Sequence, residues 1–204
     1  MSKRCVILSG GPYYAGATVA DGDYVISCDL GYGHALKAGI RPDLVIGDFD
    51  SYRGTVDPAL AVIPLPVAKD DTDTGYALRY ALDRGFDDIV IHYALGARLD
   101  HTLANLQSAM AAAQSGASVT LCGAAETVRL LSHGSLTFGV RRGQALSVLA
   151  LTDVCRDVCI EGAAYPLRHA ELRSDYPLGV SNQAEGDVTV SVGDGVLFVS
   201  LCEA

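Results

Sequence analysis

Pro42-Asp43-Leu44-Val45-Ile46-Gly47-Asp48-Phe49-Asp50-Ser51 decides how this chain is read: an apolar strand over residues 44–46 runs straight into two carboxylates. Successive residues of an extended chain point to opposite faces, so Asp48 and Asp50 are expected to look the same way. Like charges converging at a strand end repel each other unless a cation lies between them. The pair is therefore a candidate site for a hard ion such as Mg²⁺, which takes oxygen ligands and bridges them to substrate phosphates. Taken alone, a polar turn capping the strand explains the pair equally well.

The design recurs along the chain. Residues 62–67 read as a strand that opens onto Lys69-Asp70-Asp71-Thr72-Asp73 before a helix. Residues 89–93 read as another, followed by Leu95-Gly96-Ala97-Arg98-Leu99-Asp100-His101. A further strand over residues 24–28 ends at Asp29, with Gly31 and Gly33 behind it. In an open parallel α/β sheet, ligands bind outside the carboxyl ends of the strands. Here acids and bases gather at those ends, which a random scatter of surface charge does not do.

Working outward, the first part of the chain alternates strands and helices. A strand over residues 5–9 leads to Gly10-Gly11, and a short helix near 33–38 is stopped by Gly39. The helix over 73–84 carries Ala77, Leu78, Ala81 and Leu82 on one face and ends at Gly85. The helix over 101–115 has a stripe of Leu103, Leu106, Met110 and Ala113; Gly116 ends it, and 118–122 forms a strand. This alternation implies an α/β domain with a mostly parallel, three-layer sheet. From about Ala125 the pattern changes to short runs at 127–131, 135–140, 145–151, 188–192 and 196–201, with Gly193-Asp194-Gly195 as a hairpin turn between the last two. No helical period of useful length appears there, so an all-β antiparallel sandwich is expected. The domains are accordingly placed at 1–124 and 125–204.

The 204 residues suffice for one large or two small domains, and half of them are apolar, as in a soluble globular protein. A net charge of −9 argues against a nucleic-acid groove, which wants a basic face. It leaves a nucleotide ligand open, because a bound divalent ion reverses the local sign. The start, Met1-Ser2-Lys3-Arg4, precedes far too short an apolar run for a signal peptide, and no stretch approaches a membrane span. Cys5, Cys28 and Cys122 fall in expected strands, while Cys155 and Cys159 lack the spacing and the histidine partners of a zinc site. All six cysteines read as reduced thiols of a cytoplasmic protein.

Among the charged residues, Asp70, Asp71 and Asp73 exceed what capping one helix requires. Asp100 sits where an N-cap belongs. Arg98, two residues earlier, has the planar fork that grips phosphate. His101 could steady a phosphate or hold the loop through Asp100; Gly96 and Asn105 complete the group. Gly10-Gly11 could bring backbone N–H groups to a phosphate. No P-loop, spaced GxGxxG or GxSxG is present. Metal-carried phosphates, a cationic clamp and carboxylates are the parts of phosphoryl or pyrophosphoryl transfer.

The ordered set Pro42-Asp43…Gly47-Asp48-Phe49-Asp50-Ser51, Lys69-Asp70-Asp71-Thr72-Asp73 and Arg98-Leu99-Asp100-His101…Asn105 resembles the thiamine pyrophosphokinase family. So do Gly162…Tyr165-Pro166-Leu167 and Gly179-Val180-Ser181-Asn182 in the second half. The resemblance implies ATP as co-substrate, Mg²⁺, and thiamine converted to thiamine diphosphate with release of AMP. It also implies a cytoplasmic homodimer with sites shared between subunits, acting on no nucleic acid and no membrane. By motif, Asp48, Asp50 and Asp73 would be the metal and phosphate-side carboxylates, with Arg98 and Asp100 flanking the reacting groups. Asp29, Gly31, Lys69, Asp70, Thr72, His101 and Asn105 would contact the nucleotide. Ser181 and Asn182 would lie on the thiamine side, contributed by the partner. The chain departs from the family pattern at Leu30, where a glycine is usual, and at Tyr93 and Ala94, where the glycine-rich loop usually begins. With no tryptophan, aromatic stacking on thiamine would fall to Tyr165 or Tyr176. Two alternatives stand beside this: a diphosphokinase for another hydroxymethyl heterocycle such as a pterin, and a non-catalytic thiamine- or nucleotide-sensing module.

Overall fold

The computed structural model describes residues 3–96 and 98–202. The chain divides into two compact units: one runs to Ala112 and takes in Val119–Ala124, and the other takes Ala113–Ser118 and everything from Ala125.

In the first unit, β1 (Arg4–Leu8), β2 (Tyr24–Cys28), β3 (Leu44–Gly47), β4 (Ala61–Pro64), β5 (Asp88–His92) and β6 (Ser118–Cys122) form a sheet in the order β6-β5-β1-β2-β3-β4. The pairs β1–β5, β1–β2, β2–β3 and β3–β4 are all parallel. Central strands are sealed on both faces: Cys5, Val6, Ile7 and Leu8 have no exposure at all, which is why they read as a continuous apolar run. β4 lies at the edge and is mostly exposed. It ends at Pro64, a residue that an edge tolerates because it has no N–H to offer.

Three helices join these strands: α1 (Leu30–Ala38), α2 (Asp73–Asp83) and α3 (Leu99–Gln114). α1 starts earlier than the expected residue 33, directly at the end of β2. Gly31 permits this, since a Cβ there would stand 2.0 Å from the Leu8 carbonyl oxygen. α1 ends where Gly39 turns left-handed at φ 69°. On α3 the buried positions are Asn105, Ala109, Ala112 and Ala113. The expected stripe is corrected in part: Ala113 is buried, but Leu103 is half exposed and Leu106 and Met110 are only partly buried, because small residues line the most tightly packed face.

In the second unit every pairing is antiparallel. β7 (Glu126–Leu131), β13 (Leu197–Cys202) and β9 (Ala145–Ala150) pair in that order, and the start of β12 (Asn182–Val192) joins β9. The rest of β12 pairs with β10 (Val154–Ala163) and β8 (Gly134–Phe138), and β10 pairs with β11 (Leu167–Arg173). One apolar cluster collects residues from all seven strands, among them Val148, Val158, Val188 and Val199. Two expectations change here. Gly193–Gly195 is not a hairpin turn, since β12 and β13 do not pair; the segment carries the chain from one set of partners to another. β10 and β11 carry no strand signal in the sequence because charged residues (Arg156, Asp157, Arg168, His169) and register shifts break their alternation.

Arg4 on β1 closes the entry to β2: its Nε lies 2.9 Å from Asp23 Oδ1 and its Nη2 2.5 Å from Oδ2. Asp23 also accepts the Ala20 N–H at 2.7 Å. Burial pushes the Asp23 carboxyl up, but the Arg4 hydrogen bonds and the Ala20 N–H outweigh it, so its pKa ends below the ordinary value. A depressed folded pKa contributes stability above the unfolded value and loses it as pH falls through the folded one. Asp23→Asn is accordingly expected to cost roughly 1–3 kcal/mol at neutral pH, with the difference from wild type shrinking in acid. Denaturant midpoints at neutral and acid pH check both points; a difference that grows in acid contradicts the assignment.

Candidate functional site

The carboxyl ends of β1, β2, β3 and β5 open onto one cavity of about 510 Å³ in the first unit. Beyond β2 lies Asp29, beyond β3 Asp48 and Asp50, beyond β5 Tyr93 and Ala94, and beyond β1 Ser9, Gly10 and Gly11. The segment before α2 adds Lys69, Asp71 and Thr72, α2 itself adds Asp73, and Arg98 comes from just before α3, with His101 and Asn105 from within it.

The backbone at three of these strand ends is left-handed without glycine: Asp29 at φ 44°, Phe49 at φ 59° and Tyr93 at φ 59°. Each such residue costs about 1–3 kcal/mol and persists only where the surroundings over-determine it. Phe49 corrects the parity expected of Asp48 and Asp50. β3 has already ended at Gly47, the chain turns at Phe49, and the Asp50 N–H folds back to Asp48 Oδ1 at 3.2 Å. Asp50 is left on the exposed rim, bonded by the Ser51 hydroxyl.

The carboxylates that come together are Asp29, Asp48 and Asp73, with one oxygen of each within 4.8 Å of the others. Lys69 sits among them. Its Nζ is 2.6 Å from Asp48 Oδ2 and 3.0 Å from Asp73 Oδ1, and it also donates to the Pro66 carbonyl at 3.3 Å. The Asp73 contact is off the hydrogen-bonding line, so Asp73 Oδ1 is buried without a hydrogen bond. The Lys69 hydrogen bond holds the Asp48 carboxyl below its usual range. Burial pushes Asp73 up despite Lys69, and the nearby charges of Asp48 and Asp29 push the same way. Burial opposes the Lys69 charge as well, but its two carboxylate partners prevail and raise its pKa. Three carboxylates and one ammonium leave two negative charges around a buried oxygen that accepts no hydrogen bond. That donor set, hard oxygens with a net charge of two, fits a Mg²⁺-class ion.

The remaining expected residues fall as follows. Thr72, and none of the three acids, caps α2: its Oγ1 accepts the Gly75 N–H at 2.9 Å. Asp70 is exposed and does not line the cavity; Asp71 does, where it holds the Thr72 N–H at 2.8 Å and meets Arg79. Asp100 lies inside the first turn of α3 instead of at its N-cap, because the helix begins at Leu99. It grips the exposed Arg98 fork through Nε at 3.1 Å and Nη2 at 2.6 Å. Arg98 lines the cavity and Asp100 does not. Asn105 is buried, donating to the Ala94 carbonyl at 2.8 Å. Gly31 lies behind the site, against Leu8. Ser181 and Asn182 belong to the second unit. The Asn182 amide is spent on the backbone of Tyr165, accepting its N–H at 3.0 Å and donating to its carbonyl at 2.7 Å. Ser181 is left-handed at φ 59° and exposed.

Sequence reasoning missed two contributors. Ser9 Oγ and Thr74 Oγ1 hydrogen-bond at 2.7 Å in the buried wall, a pair 65 residues apart with no local signal. Tyr93 fills space beside the cavity, packed on His34 and Tyr14 with ring centroids at 4.7 and 5.0 Å.

An acid-lined cavity at the carboxyl ends of a parallel sheet, with a cation-ready cluster and an arginine at its mouth, is the arrangement of a phosphate-transferring enzyme. The family model described as "Thiamin pyrophosphokinase, catalytic domain" matches residues 17–121, and "Thiamin pyrophosphokinase, vitamin B1 binding domain" matches residues 136–197. The chain belongs to the thiamin pyrophosphokinase family, and is a transferase. It is 26% identical over 181 residues to the thiamine pyrophosphokinase of Bacillus subtilis (strain 168), covering 85% of each chain. The crystal structure of thiamine pyrophosphokinase from Bacillus subtilis superposes with a TM-score of 0.87 at 27% identity, over 99% of this chain and 100% of that one. A thiamin pyrophosphokinase family protein from Enterococcus faecalis gives 0.81 at 26% identity, covering both chains in full (100% and 100%).

Lys69→Met keeps the bulk and removes the charge. The folded protein without metal is expected to lose roughly 1–3 kcal/mol, because Asp48 and Asp73 are left facing each other uncompensated. Added Mg²⁺ should then raise the melting temperature more in the variant than in wild type, since the ion no longer competes with an ammonium. Melting curves with and without Mg²⁺ measure this; an equal or smaller shift in the variant contradicts it.

Proposed function

We propose that this chain transfers a pyrophosphoryl group from ATP to the hydroxyl of thiamine, giving thiamine diphosphate and AMP. The observation that carries the reading is the Asp29-Asp48-Asp73 cluster around Lys69, in a chain of this family. The thiamine oxygen attacks the β-phosphorus of ATP. An O–P bond forms as the bond from that phosphorus to the α,β-bridging oxygen breaks, the electron pair leaves with AMP, and the hydroxyl proton passes to solvent.

Asp48, Asp50 and Asp73 are assigned to Mg²⁺ and the phosphates, with Asp29 drawn in by its place in the cluster. When bound, the ion neutralises charge on the transferred group. Lys69 then turns from the carboxylates to the phosphates. Arg98 exchanges Asp100 for a phosphate edge, which its exposed position allows, and the freed Asp100 faces the acceptor. Thr72, His101 and Asn105 complete the nucleotide side; Gly31 only backs it against Leu8, and Asp70, which lies off the cavity, is given no contact.

Residues 1–124 are read as the three-layer α/β catalytic domain, and 125–204 as the sandwich that binds thiamine and pairs subunits. Ser181 and Asn182 serve the acceptor side of a homodimer, Asn182 by fixing Tyr165. Exposed Tyr165, Tyr176, Leu178 and Val180 support pairing through this part of the chain. A cytoplasmic setting is supported by six cysteines that are joined in no disulfide.

The direct test is AMP release that depends on thiamine, with a pterin alcohol as the competing acceptor. Thiamine-independent release, or a preference for the pterin, overturns the reading. Arg98→Lys keeps the charge and loses the fork, so kcat is expected to fall by about 10²–10³-fold, more than the KM for ATP rises. An unchanged kcat removes Arg98 from the transition state.

A further inference from the structure

β10 and β11 of the second unit carry an aspartate, a cysteine and a histidine that converge away from the apolar core. Cys155, Val158 and Ile160 are buried in that core, while Asp157 is exposed and Cys159 half-buried. β11 runs antiparallel with Ala170 opposite Val158, which brings His169 beside Cys159. The His169 backbone N–H donates to Cys159 Sγ at 3.3 Å, and His169 Nδ1 lies 2.5 Å from Asp157 Oδ1. One donor atom from each of the three lies within 4.8 Å of the others. This corrects the expectation that Cys159 has no histidine partner: the partner arrives by strand pairing, which the spacing along the chain does not reveal.

The backbone is shaped around this convergence. Asp157 at φ 57° and His169 at φ 50° are both left-handed without being glycine. They lie where the β10–β11 register slips, between Cys155 and Val158 and between Val158 and Ile160. Left-handed non-glycine residues concentrate where strain serves a site. Gly193 makes room for the cluster, since a Cβ there would stand 2.9 Å from Asp157 Cβ. None of these residues lines the acid cavity of the first unit.

We propose that Asp157, Cys159 and His169 form a binding site for a zinc-class divalent ion. A thiolate, an imidazole and one carboxylate select borderline ions such as Zn²⁺ or Co²⁺ over Mg²⁺, which prefers oxygen alone. Three protein ligands leave a fourth position for water. On binding, the Cys159 thiol gives up its proton to solvent and the imidazole moves its remaining proton to Nε2, freeing Nδ1. The ion then replaces the Asp157–His169 hydrogen bond as the tie between β10 and β11 across their bulges.

The test uses the full chain and Co²⁺ as the probe, in excess Mg²⁺ so that the oxygen cluster of the other unit is occupied. One Co²⁺ per chain is expected, with a thiolate-to-cobalt charge-transfer band. Cys159→Ser should abolish the band. His169→Gln should weaken binding by more than about 100-fold, since losing even an outer-shell partner costs ~10–100-fold. Both variants should keep their Mg²⁺-dependent turnover, and that turnover also reports that they are folded. No band in the wild-type protein, a band that survives Cys159→Ser, or unchanged affinity in His169→Gln each overturns the site and leaves the trio as a hydrogen-bonded clip.

Discussion

Three carboxylates, Asp29, Asp48 and Asp73, stand within 4.8 Å of one another, and such a cluster needs a compensating cation. In the molecule as it stands that cation is the Lys69 ammonium, at 2.6 Å from Asp48 and 3.0 Å from Asp73. The surrounding structure serves this meeting. Parallel pairing of β2 and β3 sets Asp29 beside the end of β3, and a Cβ at Gly47 would come within 3.1 Å of Asp29. Thr72 fixes the start of α2, so Asp73 enters the helix with its carboxyl turned to the other two.

The same demand accounts for where strain is stored. Asp29, Phe49 and Tyr93 are left-handed at the ends of β2, β3 and β5, each at a cost of about 1–3 kcal/mol. Those three strands and β1 belong to a sheet whose central residues are fully buried, and it is this packing that can hold the ends in place. At Tyr93 a φ of 59° is glycine geometry held by a bulky residue. Contacts with Tyr13, Tyr14 and His34 pin the ring there, so aromatic packing maintains a turn that glycine would adopt freely.

The parallel part of the fold was legible because strand and helix alternate with clear stops, and Gly39, Gly85 and Gly116 do lie just past the three helices with positive φ. The gathering of Asp29, Asp48, Lys69, Thr72, Asp73, Arg98 and His101 around one cavity was legible for the same reason: strand ends in such a sheet share a rim. What failed depended on single turns. The left-handed Phe49 undid the parity of Asp48 and Asp50, and a helix start two residues early, at Leu99, moved Asp100 off the cap. β10 and β11 stayed hidden because bulges and charges mask their period. Their long-range partners, like the Ser9–Thr74 hydrogen bond, leave no mark in local sequence.

The proposed reaction requires Asp29, Asp48 and Asp73 to hold the divalent ion that accompanies the phosphates. A crystal of the chain with Mn²⁺ and a non-hydrolysable ATP analogue, measured for anomalous scattering at the manganese edge, tests this most directly. A peak is expected among these three carboxylates, with the Lys69 ammonium displaced toward the phosphates. Manganese bound to the nucleotide alone, with Lys69 still paired to Asp48 and Asp73, would contradict it.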